Sequence, residues 1–86
     1  MPVIFTGRFL KAYDDLPPEA RKKVKQALGL LDADPRHPSL QVHPIKGCRN
    51  LYEARVDRKY CMSFIFDGDN KILRNVDNHE ACLKNP

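Results

Sequence analysis

Residues Leu51–Phe66 read LYEARVDRKYCMSFIF, in which apolar residues alternate with Glu53, Arg55, Asp57, Cys61 and Ser63. A period of two is the mark of a half-buried strand. The charged stretch VDRK interrupts it, so the segment predicts two short strands joined by a tight turn. Tyr52, Ala54 and Val56 share one face with Met62, Phe64 and Phe66 of the next strand. Leu51, Glu53, Arg55 and Asp57 share the other with Cys61, Ser63 and Ile65. One face is a core face; the other is mixed and gathers Glu53, Arg55, Cys61 and Ser63.

The rest of the chain supplies what that core face must pack against. PVIF, at positions 2–5, is short and β-prone. Thr6 is placed to cap a helix with apolar Phe9, Leu10, Tyr13 and Leu16. Pro17 and Pro18 stop that helix and open a second, with Glu19 in its first turn. There Ala20, Val24, Ala27, Leu28 and Leu31 recur every three or four residues, against a face of Arg21, Lys22, Lys23 and Lys25. It should end near Asp34, before Pro35. So short a turn makes the two helices an antiparallel pair. LQVHPIKG at 40–47 suits an edge strand, since Pro44 lacks a donor. DGDN at 67–70 makes the turn into a last strand, NKILRNV. There the alternation sets Ile72, Arg74 and Val76 against Leu73, Asn75 and Asp77. The sum is an α+β domain spanning residues 1–86. An N-terminal helical hairpin packs on one face of a twisted, mostly antiparallel sheet of about four or five strands.

The 86 residues suit one domain with one modest core. No apolar run approaches the roughly 20 residues that span a bilayer. MPVIFTGRF lacks a secretory apolar stretch, so a cytoplasmic location is expected. Cys48, Cys61 and Cys82 are odd in number and contain no CxxC, which favours reduced thiols. The net charge of +4 leans weakly toward an anionic partner.

Three constellations could carry chemistry. Lys46, Glu53, Arg55 and His79 can converge at one end of a sheet. They offer two cations, a carboxylate and a group that titrates near neutrality, enough to cleave RNA without a metal. Pattern alone favours a solvated strand face with Glu53 and Arg55 paired across strands. His37, His43, His79 and the cysteines match no compact metal-ligand spacing, so no metal or other cofactor is expected. The basic stretch RKKVK at 21–25 can track a phosphate backbone, although a solvated helix face is the commoner reading.

In order and spacing, the chain resembles the RelE/ParE superfamily of toxins from type II toxin–antitoxin systems, closest to RelE-like ribosome-dependent mRNA interferases. The resemblance is carried by FTGRFLKAYDDLPPEARKKV, by HPSLQVHPIKGCRNLYEARVDRKY and by ILRNVDNHEACL, the last read as the final strand with its histidine. It implies a cognate antitoxin as partner, ribosome and mRNA as target, a toxin–antitoxin hetero-oligomer, and no membrane. By position it implies that Lys46 and Arg55 are basic residues near the cleaved phosphate, that Glu53 is a candidate base, and that His79 is the general acid. Arg21, Lys22, Lys25, Arg49, Arg58 and Lys59 would hold RNA. Two positions depart from the family pattern. Cys61 stands where many members have an arginine bracing the phosphate, and Leu83 where many have an aromatic residue. If the missing arginine limits activity, Cys61→Arg should increase cleavage. The alternative is a member that acts by binding only, through its antitoxin or as a ParE-like gyrase inhibitor.

Overall fold

A computed structural model of the protein describes residues 3–86. In chain order the elements are β1 (Val3–Phe5), α1 (Gly7–Asp14), α2 (Pro18–Ala33), a 3-10 turn (Pro38–Leu40), β2 (His43–Pro44), β3 (Tyr52–Arg55), β4 (Tyr60–Asp67), β5 (Asn70–Asn78) and α3 (His79–Lys84). Pro2, expected within the first strand, lies outside the described residues. The five strands form one sheet in the order β1-β5-β4-β3-β2; β1 runs parallel to β5 and every other pair is antiparallel.

Local chemistry explains the first layer. The Thr6 hydroxyl accepts from the Phe9 amide at 3.1 Å, capping α1, and donates to the Leu73 carbonyl of β5 at 2.8 Å. One side chain thus starts a helix and ties it to the sheet. Thr6→Ala should cost about 1–2 kcal/mol, seen as a fall of roughly 4–16 °C in the thermal midpoint. The turn between the helices is held by Arg21, whose guanidinium donates to the Leu16 carbonyl at 2.6 Å and the Asp14 carbonyl at 3.4 Å.

The core lies between the helices and one sheet face. Phe9, Leu16, Ala20, Val24, Ala27 and Leu31 meet Ala54, Met62, Phe64, Leu73 and Val76. Each large apolar side chain buried there contributes about 1.5–3 kcal/mol. Leu73 and Val76 are three apart and in a regular strand would face opposite ways. The register explains why both reach the core: Ser63 pairs with Asn75 and Phe64 with Leu73, leaving Arg74 as a bulge. This corrects the simple alternation expected for the last strand.

Two further expectations change. Alternation sets Asp57 on the mixed face, but it turns toward the helices. Its carboxylate accepts from the Lys59 and Tyr60 amides, both at 2.8 Å, and pairs with Lys23 of α2 at 3.2 Å. Burial pushes this carboxyl up, but the two amides and the ammonium outweigh it and hold the group below its ordinary 3.8. Also, HEACLK does not continue the final strand. The Asn78 side chain accepts from the Ala81 amide at 2.9 Å and starts α3 at His79. This helix packs on β4 and β5. Its end is tied down by Asn75, which donates to the Asn85 carbonyl at 2.9 Å, and by Arg8, which reaches the carbonyls of Asn85 and Pro86. The mixed sheet face is therefore partly covered.

Candidate active site

The centre of the mixed face is Glu53, on β3. Its carboxyl-bearing side chain is only 2% exposed. Charged groups this deep need partners. Two histidines supply them from different elements. His79, the first residue of α3, places Nδ1 3.0 Å from Glu53 Oε1. His43, which pairs with Glu53 across the β2–β3 ladder, places Nε2 3.4 Å from Oε2. The His43 ring also approaches the Pro44 carbonyl through Nδ1 at 3.1 Å. Both of its nitrogens therefore face acceptors, which suits it to balance Glu53 rather than to serve a substrate.

His79 differs. With Nδ1 turned to the carboxylate, Nε2 is the nitrogen left for solvent, and the side chain is 44% exposed. Its backbone amide donates to the Lys59 carbonyl at 2.7 Å, so the β3–β4 turn with Arg58 and Lys59 stands beside it. Both of those side chains are exposed. Arg55, at the end of β3, is half-buried, and its side chain makes no hydrogen bond or ion pair among the described residues. It lines a groove with Lys23, Gln26, Ser39 and Leu40. This end of the sheet thus combines a buried carboxylate, a half-exposed imidazole and three cationic side chains.

The other candidates lie elsewhere. Ile45 donates its amide to the Leu51 carbonyl, so Lys46 and Arg49 sit in the loop at the start of β3. The register puts His79 beyond the opposite end, next to the Asn78–Tyr60 pair. The expected convergence of Lys46 with His79 is therefore not found: the strands separate them lengthwise. Lys22 and Lys25 belong to α2, on the far side of the sheet. Arg21 is engaged in the helix turn.

Cys61 is fully buried, as is Cys82 of α3. The two sulfurs neighbour each other beside Glu53. The Cys82 thiol, burial and the nearby carboxylate together push the Cys61 thiol well above its ordinary value. Cys61 is therefore a protonated thiol under a helix, not a vacated surface position. An arginine would have no open space there, which removes the basis for expecting Cys61→Arg to increase cleavage. Leu83, by contrast, is 38% exposed on α3. Sequence reasoning missed the role of His43. The signal for it was the register of a two-residue edge strand, which local spacing does not carry.

No protein-family model matches the chain. The chain is 29% identical over 82 residues to a Methanocaldococcus jannaschii protein provisionally named toxin RelE1, covering 92% of this chain and 90% of that one. Among solved structures it is similar to the RelB–RelE antitoxin–toxin complex from Methanococcus jannaschii. The TM-score is 0.74 and the identity 26%, over 91% of this chain and 92% of the other. It also shares its fold with the YoeB/ParE toxin from Agrobacterium tumefaciens, with a TM-score of 0.76 at 13% identity, over 92% and 99% of the two chains.

Proposed function

We propose that the chain, as a member of the RelE/ParE toxin superfamily, is the toxin of a type II toxin–antitoxin pair, an endoribonuclease that cuts ribosome-bound mRNA. The observation that carries this reading is the Glu53–His79 contact of 3.0 Å at a basic end of the sheet. A ribose 2′-hydroxyl gives its proton to solvent as its oxygen bonds to the adjacent phosphorus and the bond to the 5′-oxygen breaks, leaving a 2′,3′-cyclic phosphate; negative charge builds on the phosphoryl oxygens on the way. In this reading Arg58 and Lys59, in the turn beside His79, stabilise that charge, with Arg55 at the same end of β3. His79, through Nε2, protonates the departing 5′-oxygen. Glu53 is too deeply buried to reach a ribose. Its part is to hold the imidazole in one orientation, so it is a positioning residue rather than the base suggested by its sequence position. Lys46 and Arg49, at the far end of the strands, bind the track of the nucleic acid and do not touch the reacting atoms.

A second surface supports an antitoxin partner. Ile4, Phe5 and Leu10 are 43%, 41% and 48% exposed. Of these, Phe5 and Leu10 form an apolar groove beside the edge strand β1 with Phe9, Tyr13 and Leu28. A patch like this on a small basic protein calls for a cover. An amphipathic antitoxin segment with acidic flanks fits it, with Lys25 at the rim.

Expression of the chain without its antitoxin should arrest growth, with transcripts cut inside coding regions while on the ribosome. Co-expression of the antitoxin should restore growth. DNA damage with filamentation and intact transcripts would favour the gyrase-inhibitor alternative. No effect at all would leave antitoxin binding as the only retained activity.

A further inference from the structure

The surroundings of Glu53 contain more than the cleavage reading uses. Glu53 Oε2 is buried and receives no hydrogen bond; His43 Nε2 stands 3.4 Å away. An incompletely satisfied carboxylate at 2% exposure is costly, and a cation is the usual remedy. One ligand atom each from Glu53, Cys61 and His79 lie within 4.8 Å of one another. A carboxylate oxygen, a sulfur and an imidazole nitrogen form the mixed donor set that zinc accepts, at about 2.0–2.3 Å each. A tetrahedron with those bond lengths sets its ligand atoms roughly 3.3–3.8 Å apart, so modest side-chain rotations would close the three around one ion. Cys82 follows His79 by three residues on α3, hence on the same helix face, and its sulfur neighbours Cys61.

We propose that Glu53, Cys61 and His79 form a binding site for a zinc-class divalent cation, joining β3, β4 and the first turn of α3. Cys61 binds as the thiolate and gives its proton to solvent. The spacing of histidines and cysteines in the sequence hides this site, because its ligands come from three elements brought together only by the sheet register. Binding would take His79 out of proton transfer, so zinc should inhibit cleavage. That consequence rests on the proposed activity, whereas binding itself does not.

The test uses the reduced full-length chain and Co(II) as a spectroscopic probe. One equivalent should give a near-ultraviolet thiolate-to-cobalt charge-transfer band that Zn(II) abolishes by competition. Cys48→Ser, which alters the exposed thiol, should retain the band. Cys61→Ser should lose it. His79→Gln changes only a half-exposed side chain, so it should fold even if Cys61→Ser does not. It should weaken Zn(II) binding at least about tenfold. The proposal is overturned if the wild type gives no band, if the band depends on Cys48, or if His79→Gln binds Zn(II) as tightly as the wild type. Tight binding without inhibition would overturn only the link to cleavage.

Discussion

His79→Ala is expected to lower mRNA cleavage on programmed ribosomes by roughly 10²–10⁴-fold, the range that one general acid supplies. The loss should lie in the cutting step, because the nucleic-acid contacts proposed for Arg55, Arg58 and Lys59 are left untouched. The variant also removes the ion-pair partner 3.0 Å from Glu53, a side chain 2% exposed, and leaves His43 at 3.4 Å. Leaving a buried acceptor short of a partner costs about 1–3 kcal/mol. His79→Gln separates the two effects. Its amide can still donate to Glu53, so much of the stability should return, but an amide transfers no proton and cleavage should stay low. Single-turnover cleavage measured beside thermal melting reads both. Wild-type cleavage by His79→Ala would remove His79 from the reaction and end this assignment.

The parts of the fold that were legible in the sequence are those set by neighbours along the chain. Alternation in Leu51–Phe66 put Ala54, Met62 and Phe64 in the core and Glu53 and Cys61 on the opposite face, and the structure places them so. Thr6 and the Pro17–Pro18 pair marked the starts of α1 and α2 because capping and proline chemistry act within a turn. What escaped depends on pairing between distant segments. The Arg74 bulge exists because Leu73 and Val76 must both face the helices, a demand set by the opposite layer. α3 is six residues long, too short for a helical period to stand out from the strand before it, and it holds its place through Cys82, Asn75 and Arg8. Once α3 covers the mixed face, Glu53 and Cys61 become interior groups. A face that reads as open to substrate in the sequence is then accessible mainly at its His79 end. Lys46 was legible as a basic residue near a strand end, but which end required the register of β2.

Cys61 is where this difference has its largest measurable effect. Family pattern favours an arginine at this position as a gain of phosphate-binding power, whereas the structure predicts a loss. The residue is fully buried between β4 and α3 beside Cys82. Arginine adds several heavy atoms to a filled space, and overpacking alone costs about 1–3 kcal/mol. It also brings a guanidinium out of water. Glu53 is close enough to attract it, but the attraction inside a protein does not dependably repay desolvation. If the guanidinium instead escapes to solvent, α3 must lift, and the contacts of Cys82, Asn75 and Arg8 go with it. Either route should destabilise the domain by about 3 kcal/mol or more, seen as a fall of at least roughly 12 °C in the thermal midpoint. Cys61→Ala, which removes only the sulfur, should cost about 1 kcal/mol and keep α3 in place. Thermal denaturation of the two variants beside the wild type decides the matter. A Cys61→Arg chain that melts with the wild type and cleaves faster would mean that position 61 opens to substrate and that α3 does not cover it.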